Sequence, residues 1–416
     1  MRFFAAVRQP TDRAGLGTLV RFVYEWGGCL NQKLPRRKII KKVTIIILVK
    51  FGRGVGAWRK GSENALDSLA VPLQLCQEKE HMDFKLHKDI SDFDSAMWNA
   101  LVEQSIADTP FSRHEYLTEW WKTLGGGEWQ AAELVMVSAS EHGQLVGLAP
   151  LFIHEYDGHQ SLLLLGSIEI SDYLDLIVRE ADLPRFISGL FDFLAPSLTG
   201  NWSALDWYNL PDLSPTLAAL KAESEKRGWI YHEEIYRPTP RIALNGSFDD
   251  YLAGIDKKQR HEIRRKMRRA VESGRVKFTV IDKDADIEPE LDSFFHLMVQ
   301  DPNKALFLKD VMRDQMSNSL RAAYDHGYLW LGFLEVDGVK AAASLNFDYK
   351  NKLWGYNSGV SRDFMELSPG WVLMAHVIQW CCENGRYEFD FMRGDEDYKY
   401  RMGGVNKYVM RARVIK

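Results

Sequence analysis

From Asp83 onward, apolar and polar positions fall into a regular order. Alternation over Asp83–Lys88 predicts a strand. Ser91–Gln104 and Arg113–Thr123 carry apolar residues at helical spacing, the second with Tyr116, Trp120 and Trp121 on one stripe. Three strands are predicted next, at Ala132–Ser140, Leu145–Tyr156 and Ser161–Gly166. The turn signals Glu141-His142-Gly143 and Asp157-Gly158-His159 separate them. A helix over Pro184–Leu194 and a strand over Ala204–Tyr208 complete the series. The same order then returns. A strand is predicted at Val276–Ile281, helices at Pro289–Val299 and Lys309–Tyr324, and strands at Tyr328–Val336, Val339–Tyr349 and Lys352–Ser358. A helix over Gly370–Glu383 and a strand over Glu388–Met392 close it. Asp206 and Asp390 hold equivalent places between large apolar residues. The pattern predicts a duplicated α/β (α+β) unit. One large α+β domain is the competing architecture.

Between the two series, Phe248–Ser273 reads as a single amphipathic helix with Ser247 as N-cap and Gly274 as its stop. Leu252, Ile255, Ile263, Met267 and Val271 form its apolar stripe. Lys257, Arg260, His261, Arg264, Arg265, Arg268 and Arg269 lie opposite, and Glu262 is the single acid between 257 and 269. Like charges at i, i+4 repel, so such a face calls for an anionic partner, with Arg260, Arg264 and Arg268 binding it. Candidates are an acidic or pyrophosphate-linked glycan precursor, an anionic membrane surface, or tRNA. Pairing with acids of a neighbouring domain is the bland alternative.

Composition divides the chain further. Its 416 residues suit two domains. Residues 1–81 hold 15 Lys/Arg against 6 Asp/Glu, whereas the whole chain carries a net charge of −4. That shift marks a boundary, with Met82 as a plausible start. The expected division is a basic, poorly ordered extension at 1–81, a first domain at 82–240, and a second, catalytic domain at 241–416. Residues 1–81 also read as a membrane-surface arm or as upstream sequence absent from the mature protein. Their longest apolar run, Val43–Val49, is far short of the ~20 residues that span a bilayer, and no signal peptide is readable. Four cysteines without CxxC spacing predict neither a disulfide framework nor a metal site. A cytoplasmic setting is expected, with peripheral placement at the inner membrane face as a variant of it.

Candidate chemistry concentrates between Ser358 and Met402. In Leu367-Ser368-Pro369-Gly370, Ser368 suits an N-cap, Pro369 suits N1 and Gly370 permits close approach. The helix that follows would offer its N-terminal N–H groups to an anion. Downstream, Phe389-Asp390-Phe391-Met392-Arg393-Gly394-Asp395-Glu396-Asp397-Tyr398-Lys399 sets acids, a tyrosine and a lysine at a strand end. Such a cluster can supply a general base and a general acid. Asp395 or Glu396 is the expected base if burial raises its pKa, Tyr398 the acid, and Lys399 a holder of substrate phosphate or carboxylate. Asp390 is a further catalytic candidate or a satisfier of backbone N–H groups. His376 and the Trp120-Trp121 and Trp207-Tyr208 pairs read as packed core.

These stretches resemble the bacterial acetyltransferase family once labelled cellulose-biosynthesis CelD-like (CelD/BcsL-like), related to the FemAB peptidoglycan aminoacyltransferases. The order of elements matches the GNAT fold, whose mixed sheet splays apart to admit acyl-CoA. The resemblance implies tandem GNAT-like N-acyltransferase domains with the working site in the second. It implies acyl-CoA held by Leu367, Ser368, Pro369 and Gly370, and an acceptor near Tyr356, Ser358 and Arg393. This sequence keeps one glycine where the GNAT loop has more, and Glu366 stands beside the expected pyrophosphate. The expected activity is transfer of an acyl group, acetyl foremost, from acyl-CoA to an amine of an envelope or exopolysaccharide precursor. Aminoacyl transfer from tRNA, and a non-catalytic fold that binds anionic partners through helix 248–273, are the alternatives.

Overall fold

The computed structural model describes residues 82–194 and 202–416, with the backbone of three strands ahead of them. Those strands, β1 (Phe4–Val7), β2 (Leu19–Trp26) and β3 (Lys41–Leu48), form an antiparallel sheet in that order, a unit of its own. Most of the apolar run at 43–49 falls in β3. The other expectations for 1–81 lie outside the described residues.

Two further sheets repeat one plan. In the first, β4 (Asp83–His87), β5 (Glu133–Glu141), β6 (Gln144–Tyr156) and β7 (His159–Leu164) make an antiparallel ladder. The short β8 (Ile177–Val178) pairs with β6, and β9 (Ala204–Pro211) then lies parallel to β7. In the second, β12 (Val276–Val280), β13 (Leu329–Val336), β14 (Val339–Tyr349) and β15 (Lys352–Val360) make the ladder, and β16 (Glu388–Asp390) lies parallel to β15. The crossover helices Leu183–Phe193 and Pro369–Glu383 take the chain to the parallel strand in each half. At Asp337-Gly338 both residues have positive φ, 51° and 80°, as a two-residue hairpin requires. The predicted duplication is therefore present, as two α/β units with mixed sheets.

The halves are not closed by their own segments. β10 (Ile230–Pro238) is the edge of the first sheet, and β17 (Tyr408–Ile415) inserts between β10 and β9, antiparallel to both. β11 (Arg241–Ala243) meanwhile edges the second sheet against β16. So a strand inside the range expected for the second domain completes the first sheet. The largest apolar core also crosses between halves. Phe111 of the first half meets Phe347 edge-on at 5.8 Å, and Tyr173 meets Trp354 at 5.4 Å.

The basic helix departs from expectation by being broken. Phe248–Gly254 starts on a capping box between Ser247 and Asp250. Ile255 is extended, and Asp256 restarts the helix at Lys257–Glu272 by accepting from Lys258 N and Gln259 N. Gly254, a poor helix former, followed by a strong N-cap explains the break. Val271, expected in the apolar stripe, is 73% exposed, and Ala270 is buried in its place.

Because the repeated plan starts at β4 and Met82 is itself buried, a protein starting at Met82 should fold with an unchanged melting temperature. Insoluble or non-cooperatively melting protein would overturn that expectation.

Candidate functional site

Parallel pairing of β15 with β16 lasts three residues, Lys352↔Glu388 to Trp354↔Asp390. Beyond them the chain after Asp390 turns to β10 and β11, with Phe391 N bonded to Pro240 O and Gly394 N to Pro238 O. β15 instead continues to Val360, and its residues pass from buried to half-buried at Gly355. The strands therefore splay, leaving one edge of β15 without a neighbouring strand among the described residues. A bulge at Tyr356, opposite the Leu345/Asn346 step of β14, re-aims side chains at this point.

Two cavities open in the splay. One, about 600 Å³, runs under the start of helix Pro369–Glu383, with Lys266, Arg362, Ser368 and Gly370 in its wall. The other, about 360 Å³, lies towards the first half, lined by Glu169, Tyr236, Arg237, Asn346 and Tyr356 among others. Lys304, Ser344, Ser358, Met374 and Tyr398 line both, so the cavities meet there.

In the first half the corresponding divergence is filled among the described residues. Its parallel pairing ends at Leu162↔Leu205, and the chain around 165–176 fills the divergence. Asn209 donates to Ile168 O and Ser171 O, both at 2.8 Å, and accepts from Leu174 N. That filling loop carries Glu169, Ile170 and Asp172 to the smaller cavity of the second half. Ile170 O accepts from Tyr356 OH at 3.0 Å.

The expected site residues divide accordingly. Tyr398 stands at the junction, its ring edge-on to Phe391 at 5.9 Å. Although 37% of the residue is exposed, desolvation of its phenol and the nearby Glu396 carboxylate hold it above the usual tyrosine range, so it stays protonated at neutral pH. Ser358 and Tyr356 line the cleft. Lys399 is buried at the wall, yet its ammonium is committed: it donates to Arg393 O at 2.7 Å, lies 3.3 Å from Met392 O and pairs with Glu396 at 2.9 Å. It clamps a turn in which Met392 and Gly394 have φ of 60° and 126°. A Cβ on Gly394 would come within 2.8 Å of that ammonium. Arg393 spans the halves, bonding Asp172 Oδ1 at 2.5 Å, Asn209 Oδ1 at 3.2 Å and Glu169 O.

The remaining expected residues are placed variously. Asp395 is exposed, bonded to Tyr400, and lines neither cavity; Glu396 is exposed at the wall of the smaller cavity and held by Lys399. Asp390 faces the core. It accepts from Tyr173 OH at 2.9 Å and Met392 N at 2.8 Å, and pairs with Lys352 at 2.9 Å and Arg241 at 3.1 Å. Leu367 is buried against Val336 and Ala341. Ser368 has a left-handed backbone and makes no side-chain cap. Pro369 has no N–H, and the amides of Trp371 and Val372 reach Ser368 O, so Gly370 carries the free amide of that turn. Glu366 is drawn aside by Arg275 at 3.5 Å. Arg260 caps the helix before it by donating to Ala253 O at 3.1 Å. Arg264 pairs with Asp249 at 3.1 Å, and Arg268 lies 3.8 Å from Glu272. None of these three lines either cavity, whereas Lys266 of the same helix lines the larger, with its ammonium 4.8 Å from the Trp371 ring centroid. His376 is packed, stacked on Phe278 at 5.1 Å, and Trp120 and Trp207 are core.

Sequence reading missed Lys304, Tyr236 and Arg237. It also missed Ser344 and Asn346, buried polar residues in the apolar run of β14, and that interruption was a readable signal.

Residues 257–400 match the family described as acetyltransferase (GNAT) domain. Among solved structures, FemX aligns with a TM-score of 0.56 at 13% identity, over 79% of this chain and 97% of that one. L-PGS from Bacillus licheniformis aligns with a TM-score of 0.50 at 12% identity, over 78% and 92%. None of the curated proteins matches the chain. At such identities the two structures speak to the fold, which is the tandem GNAT-like, FemAB-like arrangement.

Proposed function

We propose that this GNAT-type acyltransferase takes an acyl group, acetyl foremost, from acyl-CoA in the larger cavity and passes it to an amine in the smaller one. The observation that carries this reading is the meeting of two cavities at Tyr398. The larger offers an anionic donor the Gly370 amide, the positive end of helix Pro369–Glu383, Lys266 and Arg362. The unpaired edge of β15 beyond Trp354 offers backbone partners to the two amides of a pantetheine arm. The smaller cavity is walled by Glu169, Tyr236, Arg237 and Asn346, which suits a polar amine acceptor. The CelD-like resemblance makes that acceptor an envelope or exopolysaccharide precursor.

Acyl transfer runs as follows. The neutral amine attacks the thioester carbon, the carbonyl electron pair moves to oxygen, and collapse of the adduct breaks the C–S bond. Tyr398, protonated at neutral pH, gives its proton to the departing sulfur. Tyr398→Phe keeps the ring against Phe391 and removes that proton. Turnover should fall roughly 10²-fold, the scale of an acid–base group, with melting temperature and its rise on adding acetyl-CoA unchanged. Thiol release at the wild-type rate would remove Tyr398 from the chemistry.

A second reading, with aminoacyl-tRNA as donor, is favoured by the exposed cations of Lys257–Glu272, whose Lys266 reaches the donor cavity. The FemX-like fold supports it too. Thiol release from acetyl-CoA in the presence of amino sugars tests the first reading. Copurifying tRNA with no stabilisation by acetyl-CoA would replace it with the second. Among the described residues no helix is long and apolar enough to cross a membrane. Placement at the inner membrane face would use the same basic helix.

A further inference from the structure

The acyl transfer proposed above leaves one role unfilled. The acceptor amine arrives as an ammonium and must lose a proton before it attacks; of the expected carboxylates, Asp395 is bonded to Tyr400 and lines neither cavity, and Glu396, at the wall of the smaller one, is paired with Lys399. We propose that Lys304, at the junction of the two cavities, is the general base that deprotonates the acceptor ammonium. This rests on the acyl-transferase reading.

The geometry accommodates a neutral amine. Lys304 Nζ donates to Ser358 O at 2.6 Å and to Asn357 Oδ1 at 2.9 Å. Asn357 Oδ1 also accepts from Ser358 N at 2.8 Å, which fixes that oxygen, and not the amide nitrogen, towards the lysine. A neutral primary amine has two hydrogens and one lone pair. Both hydrogens are used, and the lone pair is left unengaged at the wall of both cavities.

Charge around Lys304 agrees. Among the described residues no carboxylate lies within ion-pair distance of it, in contrast to Lys399, which pairs with Glu396. Burial pushes the Lys304 pKa below the ordinary lysine value. Asp301 on its own helix and Glu396 on the facing turn pull it back up, and Lys399 beside Glu396 adds to the depression. Tyr398 faces it from the same turn, and Lys266 and Arg362 line the larger cavity with it. Burial is the largest of these effects, and it favours the neutral form. A lysine depressed in this way holds more of the neutral form that a base needs.

The protons balance. Lys304 takes one from the acceptor ammonium, and the freed nitrogen lone pair forms the C–N bond. The C–S bond breaks and sulfur takes the Tyr398 proton. The surplus proton on the new amide nitrogen restores Tyr398, and Lys304 releases its proton to solvent.

Two measurements on the full chain test this. Trace labelling with acetic anhydride across pH, read peptide by peptide, gives the titration of Lys304 whether or not an acceptor is known. A midpoint clearly below the ~10.4 of a free lysine is expected, and one matching the exposed lysines overturns the base. Thiol release from acetyl-CoA with glucosamine is then followed against pH. Lys304→Gln and Lys304→Arg should both lose roughly 10²- to 10⁴-fold in turnover and lose the acid limb of the profile. Folding and stabilisation by acetyl-CoA should be retained. Recovery of the rate in Lys304→Arg would show that a positive charge suffices and overturn the base. Wild-type protein that releases no thiol refutes the acyl-CoA reading and the base with it, whereas an ordinary Lys304 titration refutes the base alone.

Discussion

A chain cut after Asn406 should not fold. The cut removes β17, which is hydrogen-bonded on both sides, to β10 over Ile230↔Ile415 to Pro238↔Tyr408 and to β9 over Ala204↔Ile415 to Pro211↔Val409. Val409, Ala412 and Val414 are fully buried, and Arg411 holds the buried Asp206 through two bonds of 2.8 Å. Losing two buried valines costs about 1.5–3 kcal/mol each, and stranding a buried carboxylate costs about 3–5 kcal/mol. Together these approach the whole ~5–15 kcal/mol of a typical domain, before the unpaired strand edges are counted. Circular dichroism and urea unfolding of the truncated chain decide the matter. A cooperative transition at the wild-type midpoint would show that β17 is dispensable.

Asp390→Ala should be the most destabilising single substitution near the cleft, at about 3–5 kcal/mol, because it leaves buried cations without their partner. Lys352 is 4% exposed and pairs with Asp390 at 2.9 Å, Arg241 lies 3.1 Å away, and the Tyr173 hydroxyl from the other half donates to the same carboxylate. Glu388 stays beside Lys352 at 2.7 Å and keeps the loss from being larger. The shift of the urea midpoint measures it. Wild-type stability combined with lost thiol release would return Asp390 to the chemistry.

That residue shows how far the sequence could be read. The duplication was legible because two local signals recur in one order, helical spacing and strand alternation punctuated by turns such as Asp337-Gly338. The place of the cleft was legible too, from a helix start and a strand end rich in polar groups. What those groups do was not. Acids and bases adjacent in sequence, Asp390 to Lys399, are sorted in space by which way the chain turns after Phe391, and that turn is set by β10 and β11. Lys304 sits on a short helix, Pro302–Phe307, and gains its role from Asn357 and Ser358, more than fifty residues away. The helix Pro215–Arg227, β10 and β17 had no counterpart in the repeat that would have drawn attention to them. The break at Ile255 needed a cap, Asp256, to outweigh an apolar period that runs through it.

The insertion of β17 also orders events during synthesis. Residues 83–238 emerge from the ribosome with β9 and β10 separated by a vacant slot, and that slot is filled about 170 residues later, when residues 408–415 have been made. At a translation rate of roughly 5–20 residues per second, the first half waits on the order of ten to thirty seconds with two open strand edges. Open edges recruit other strands. The nascent chain is therefore most vulnerable to aggregation while the second half is being translated, and a chaperone that shields β9 and β10 in that window would raise yield more than one acting on the finished protein.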